Sequence, residues 1–275
     1  MRIGNREFNM MNNDVYIMGI LNVTPDSFSD GSKFNTLDKA LYRVEEMIKE
    51  GSSIIDVGGE STRPGYNQID ENEEIERVVA IIRAIKDRFD IPVSIDTYKA
   101  EVALESFMAG ADMVNDIWGF LYEEKEEVNL IAKYTKDYNK SVCLMHNDRQ
   151  HMRENNMDIL IDRLNKSVNE AIKYNIDKDR IMIDPGIGFA KSYENNLYVM
   201  KNIDKLHCLG YPILLGTSRK SMIGNAIGED VNNRVEGTLA TTVYGMEKGI
   251  RFVRVHDVKE NKRAIDMMKA IMDID

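Results

Sequence analysis

Histidine and cysteine are scarce in this chain, with four and two among 275 residues. No Cys-x-x-Cys or His-x-His pair occurs, which argues against a structural zinc site or a histidine-built metal centre. Cys143 and Cys208 each close a separate apolar stretch and read as buried, reduced thiols. Proline is also rare, at five residues, and no low-complexity linker is present. Disordered and fibrous classes are thereby disfavoured. Positive charge is outweighed, with 36 Lys and Arg against 46 Asp and Glu and a net charge of −10. Broad nucleic-acid binding demands the opposite balance, so any anionic substrate must meet a local basic patch. No apolar run approaches the roughly 20 residues that span a bilayer. The first run, 15–21, is too short for a secretion signal, and a cytoplasmic location is expected.

What the chain does have is eight short apolar runs, each ending on a polar residue: Asn22, Asp56, Asp96, Asn115, His146, Asp184, Ser218 and His256. Strands are expected at 15–22, 53–57, 93–96, 113–115, 141–146, 181–184, 213–216 and 251–256. They are nearly continuously apolar, as parallel strands buried on both faces must be. Helical periods lie between them, beginning with Leu37, Ala40, Leu41, Val44, Met47 and Ile48, where Thr36 can cap the start and Gly51 can end the last turn. Eight strand–helix alternations favour an α/β fold of the (β/α)8 TIM-barrel type, a single domain over 1–275. No Gly-x-Gly-x-x-Gly follows the first strand, which counts against a doubly wound sheet. Residues 1–14 are expected to form a hairpin at the lower end of the barrel. In such a barrel the polar strand ends converge on one mouth, where barrel enzymes keep their chemistry.

Several segments at that mouth carry suggestive residues. The loop NVTPDSFSDG at 22–31 is rich in turn formers, and Phe28 within it is an aromatic in need of a partner; a mobile lid and a plain polar turn both fit. In GGESTRPG at 58–65, Arg63 reads either as an anion clamp or as an ordinary surface arginine. Asp96, Asn115 and Asp184 suit a heterocycle: a carboxylate accepts two parallel N–H bonds from a guanidine-like edge, and an amide both donates and accepts. Singly, each of the three reads equally well as an Asx turn or helix cap. Arg254 and His256 alternate along the last strand, so both point to one side. With Lys220 and Arg63 they make a convergent cationic site for phosphate or diphosphate. A rival chemistry, metal-assisted hydrolysis on Asp56, Asp96, Asp184 and a histidine, wants more histidine than the chain supplies.

Five motifs in order, NVTPDSFSDG (22–31), GGESTRPG (58–65), DPGIGF (184–189), TSRKS (217–221) and VRVHD (253–257), make the chain resemble the dihydropteroate synthase family over nearly its whole length. The resemblance implies condensation of 6-hydroxymethyl-7,8-dihydropterin diphosphate with 4-aminobenzoate in folate biosynthesis. It implies that Asp96, Asn115, Asp184, Lys220 and Arg254 hold the pterin, and that Asn22, Thr62, Arg63, Arg254 and His256 hold the diphosphate, with Mg2+ on Asn22. It assigns 4-aminobenzoate to Phe28, Pro64, Phe189 and Ser221, and catalytic roles to Asp30, Arg63, Lys220, Arg254 and His256. Loss of pyrophosphate is expected to be SN1-like, needing neither a strong general base nor a nucleophilic triad. Sulfonamide sensitivity is implied too, as is a homodimer, for which Met246, Met267, Met268 and Met272 supply apolar surface as readily as core packing. Ser32 and Ala190 stand where the family commonly has glycine. A methyltetrahydrofolate:corrinoid methyltransferase and a non-catalytic pterin-binding paralogue remain as alternatives, although the former has no use for a diphosphate clamp.

Overall fold

The computed structural model describes residues 1–23, 33–60, 68–122, 128–150, 152 and 154–274. Its centre is an eight-stranded parallel sheet in the order β8-β7-β6-β5-β4-β3-β10-β9. The strands are β3 (Tyr16–Asn22), β4 (Ile54–Gly58), β5 (Val93–Asp96), β6 (Met113–Asp116), β7 (Ser141–Met145), β8 (Ile181–Asp184), β9 (Leu214–Leu215) and β10 (Phe252–Val255). An isolated parallel bridge, Ile183 to Ile213, joins the two ends of the order and closes the barrel. Its backbone bond, from Ile183 N to the Pro212 carbonyl, is 3.0 Å.

Strand alternation explains both the packing and the site. Met18, Ile54, Met113, Cys143, Met182, Leu214 and Phe252 point inward and form a fully buried apolar floor. Their sequence neighbours, such as Val114, Ile183 and Val253, point the other way and join the larger core beneath the helices. Two residues on from the floor, the same strands present Asp56, Asn115, Asp184, Gly216 and Arg254 to the interior, since side chains repeat every second residue. The chain thus builds an apolar plug first and a polar layer directly above it.

The expected hairpin is present: β1 (Arg2–Ile3) pairs antiparallel with β2 (Arg6–Glu7). It seals the floor from below, because Ile3 and Phe8 pack into the floor cluster. Phe8 lies edge-on to Tyr16 and Phe252, with ring centroids 4.8 Å and 5.5 Å apart.

Around the barrel, the first helix, α1 (Lys33–Glu50), buries Ala40, Leu41, Val44 and Met47. It begins earlier than expected, at Lys33. Gly51 ends it at φ 106°, a conformation a side chain strains to reach. The next helix, α2 (Glu71–Arg88), is capped by Asp70, whose carboxylate accepts from Asn72 N at 2.9 Å. Glu71, Glu73 and Glu74 in its first turn and Lys86 and Arg88 in its last suit the helix dipole. One expectation needs correction. Cys208 is exposed while Cys143 is buried. Of the four methionines read as interface or core, Met246 lies in the core and Met268 and Met272 pack against it, while Met267 is exposed.

Candidate active site

The polar layer above the floor is a charge network. Arg254 donates from Nε to Asp56 Oδ2 and from Nη2 to Asp96 Oδ2, both at 2.6 Å. Asn115 Nδ2 reaches the same Asp56 oxygen at 3.3 Å. Register sets these neighbours: Asn22 pairs with Gly58, Gly58 with Asp96, and Asp96 with Asn115. Glycine at 58 keeps the space between Asn22 and Asp96 open, since a Cβ there would lie 3.7 Å from Asn22 Oδ1 and from Asp96 Cβ. Gly216 does the same on the opposite wall, lying between Asp184, Lys220 and Arg254.

Burial governs the electrostatics. Desolvation pushes the Asp96 carboxyl up to about 7 despite the opposing Arg254 charge. It raises Asp184 as well, against the pull of Lys220. Lys220 is lowered to about 8 by burial, with Asp184 opposing. For Arg254, burial disfavours the charge, but Asp56 and Asp96 outweigh it and hold the guanidinium firmly protonated. Three carboxyl groups, Asp56, Asp96 and Asp184, thus face two cations, Lys220 and Arg254, and Asp96 gains its charge as pH rises through about 7. Asp56 Oδ1 and Asp96 Oδ1 are buried with no hydrogen-bond partner among the described residues. A buried acceptor left unsatisfied costs about 1–3 kcal/mol, so both oxygens are suited to accept from N–H donors brought into the mouth.

The loop after β8 forms the adjoining wall. Asp184 Oδ1 accepts from Gly186 N at 2.6 Å, which leaves its other oxygen toward Gly216. Lys220 Nζ lies 4.8 Å from the centroid of the Phe189 ring and donates to the Ile187 carbonyl. Phe189 also packs against an apolar rim of Tyr98, Ile117 and Met145, joined by Trp118 and Tyr122. Ser221 is exposed and opens the short helix Ser221–Ile227. His256 Nδ1 is 3.0 Å from Ser218 Oγ, and its carbonyl accepts from Arg43 at 3.2 Å. Arg219 is committed elsewhere, paired through Nε to Asp257 at 2.9 Å.

The structure therefore brings together Asp96, Asn115, Asp184, Lys220 and Arg254, with Asn22 and Phe189 on the rim. Phe28, Asp30, Thr62, Arg63 and Pro64 lie outside the described residues. The resemblance gives Asp56 no role, yet it shares Arg254 with Asp96 at the same 2.6 Å; its place two residues after Ile54 carried that signal. Asp56 and Asp96 are taken up by Arg254 rather than arranged as ligands for hydrolytic metal chemistry, and no group of three His, Cys, Asp or Glu among the described residues is placed to hold a metal. Asn22 offers a single amide oxygen at the rim.

Sequence reasoning missed a second network at the base of the GGESTRPG segment. Lys99 Nζ donates to Glu60 and Glu74, each at 2.7 Å, and to the Ile69 carbonyl at 2.8 Å. Glu60 in turn accepts from Ile69 N at 2.9 Å. The two ends of segment 61–68 are thus tied by one buried lysine. No short-range pattern signals it, because its members come from the segments that follow β4 and β5 and from α2.

The family model for pterin binding enzymes matches residues 18–256. A dihydropteroate synthase from Clostridium beijerinckii is 54% identical over 273 residues, 99% of each chain. A Clostridium difficile dihydropteroate synthase solved with pteroic acid superposes with a TM-score of 0.88 at 45% identity, covering 98% of both chains. A Xanthomonas albilineans dihydropteroate synthase solved with 4-aminobenzoic acid gives 0.88 at 34% identity, covering 95% of this chain and 94% of that one. Matched in sequence and in fold over nearly its whole length, the chain belongs to the dihydropteroate synthase family of pterin-binding enzymes.

Proposed function

We propose that this protein joins 6-hydroxymethyl-7,8-dihydropterin diphosphate to 4-aminobenzoate, releasing pyrophosphate and giving 7,8-dihydropteroate for folate biosynthesis. The observation that carries this reading is the pair of orphaned acceptors, Asp56 Oδ1 and Asp96 Oδ1, beside Asn115 and Asp184. The 2-amino and N3–H groups of a pterin are donors on one edge, suited to carboxylates that accept two parallel bonds. Its 4-oxo group accepts, which suits Asn115 and Lys220.

Loss of pyrophosphate leaves positive charge on the pterin methylene, delocalised into the ring. The carboxyl groups lining the mouth favour that state over the ground state, in which the ring is uncharged, and do so most once Asp96 is ionised. Arg254, Lys220 and Arg63 neutralise the leaving diphosphate, and Thr62 and His256 donate hydrogen bonds to it. The aromatic amine attacks without a strong base.

Asn22 would hold Mg2+ through its amide oxygen; a hard oxygen donor fits, and Mg2+ takes much of its shell from water and phosphate. The ion supplies charge neutralisation at the leaving group. For 4-aminobenzoate, the reading uses Phe28, Asp30, Arg63 and Pro64, with Phe189 as an apolar wall and Ser221 receiving the carboxylate. A sulfonamide mimics that substrate and competes for those positions. A homodimer and a cytoplasmic location complete the proposal; among the described residues no helix is long and apolar enough to cross a membrane.

Incubation of purified protein with both substrates and Mg2+ tests the reading. Stoichiometric dihydropteroate and pyrophosphate are expected, lost on chelation and restored by Mg2+. Product formation unaffected by chelation removes the metal from the account, and the absence of pyrophosphate release removes the reaction.

A further inference from the structure

Behind the pterin-facing wall lies a buried lysine that the reaction itself does not use. After β8 the chain makes a tight loop, 185–190, in which Gly186, Gly188 and Ala190 have φ of 66°, 87° and 48°. Ala190 is the costly member, because a Cβ disfavours the left-handed region. Such strain persists only where the surroundings over-determine the backbone.

Lys191 supplies the determination. Its side chain turns back under the loop, and Nζ lies 3.0 Å from the Gly186 carbonyl, 3.0 Å from the Phe189 carbonyl and 2.9 Å from His146 Nδ1. An ammonium has three donors, and each has an acceptor here. The residue is only 6% exposed, and a buried lysine is rare unless fully partnered. His146 is anchored in turn: its N–H donates to the Asp184 carbonyl at 2.8 Å. The loop runs so close that a Cβ on Gly186 would lie 2.0 Å from the His146 carbonyl oxygen. On the other flank Asn196 accepts from Gly188 N at 2.7 Å.

We propose that Lys191 is a positioning residue for pterin recognition, its ammonium pinning loop 185–190 to His146 so that Asp184 and Phe189 stand at the spacing the substrates need. This rests on the assignment of Asp184 to the pterin. The imidazole accepts at Nδ1, so His146 is neutral with its proton on Nε2; burial, then Lys191 and Arg163, pushes its own protonation well down. Burial also brings Lys191 down to about 7, opposed by Asp184 from β8 and reinforced by Lys220. Deprotonation of Lys191 removes one donor from the knot, so pterin affinity weakens on the alkaline side.

The test is calorimetric titration with 6-hydroxymethylpterin, because the Kd it returns does not depend on the fraction of folded protein, which appears in the stoichiometry. Lys191→Met keeps length and removes every donor. Kd is expected to weaken about tenfold or more, the scale of a misplaced binding group, and to lose the part of its alkaline dependence that wild type shows between about pH 6 and 8.5. Asp184→Asn separates the two assignments. If it weakens Kd while Lys191→Met, at full stoichiometry, binds like wild type, the positioning role is overturned and the pterin site stands. If neither variant alters Kd, the pterin assignment falls with it. Should Lys191→Met not fold, Lys191→Gln decides by the same titration: weakened binding supports the role, and unchanged binding overturns it.

Discussion

Replacing Asp96 by Asn separates the binding function of this carboxylate from its cost to the fold. In the free protein the group is 7% exposed and desolvation raises it from 3.8 to about 7, against the pull of Arg254. A rise of that size disfavours the charged form by about 4 kcal/mol. The sign follows from linkage: stability conferred by the protonated folded form is fully present below 3.8 and is lost as pH rises through about 7. The Asn variant carries no such dependence. Its stability relative to wild type should therefore improve by about 2–3 kcal/mol between ~pH 5 and ~pH 8, whatever fixed penalty follows from the weakened Arg254 bond. Pterin binding should move the other way, because an amide presents donors to a ligand edge made of donors. A loss of about 2–5 kcal/mol, or roughly 30-fold to several thousand-fold in Kd, is expected when one partner of a buried charged hydrogen bond is removed. Urea unfolding at both pH values and calorimetry with 6-hydroxymethylpterin measure the two effects. A stability difference that is flat with pH would refute the desolvation argument, and unchanged Kd would refute the ring-reading role.

Arg254→Met should leave Asp56 and Asp96 buried without their shared cation, lowering turnover about 100-fold or more; steady-state kinetics showing wild-type kcat/KM would count against it. Lys220 is lowered to about 8, so pterin diphosphate binding should weaken as pH rises through that value, and the pH profile of KM in Lys220→Met should lack this limb. Lys99→Met strands the buried carboxylates of Glu60 and Glu74, and thermal denaturation should report a loss of about 3–5 kcal/mol. Phe252→Ala opens the barrel floor at a cost of about 3–5 kcal/mol, while Kd for the pterin at low temperature should stay near that of wild type because the polar layer lies above it.

The fold was legible because parallel strands buried on both faces leave a simple trace, and 93–96 and 181–184 match β5 and β8 to the residue. β9 is shorter than its apolar run, two residues where four were expected, since hydropathy marks burial and not ladder bonds. Asp96, Asn115 and Asp184 were readable from their strand-end positions. Asp56 was readable in principle from the period of two, but only the closed barrel shows that it faces Arg254 from 198 residues away. Lys99 and Lys191 could not be found: each is partnered by residues from other elements and by backbone carbonyls, which carry no side-chain signature. Cys208 misled for a similar reason, because an apolar neighbourhood in sequence does not fix which face of a short helical turn is covered.

The central claim is that pyrophosphate leaves ahead of the amine's attack and that the carboxylates lining the barrel mouth stabilise the positive charge this puts on the pterin methylene. Competitive measurement of kcat/KM for pterin diphosphate carrying two deuteriums on that methylene tests it most directly, because the carbon becomes trigonal only if departure precedes attack. A normal secondary isotope effect, with the deuterated substrate reacting more slowly, is predicted. An effect of unity, or an inverse one, would contradict the account and place the amine's attack ahead of charge development.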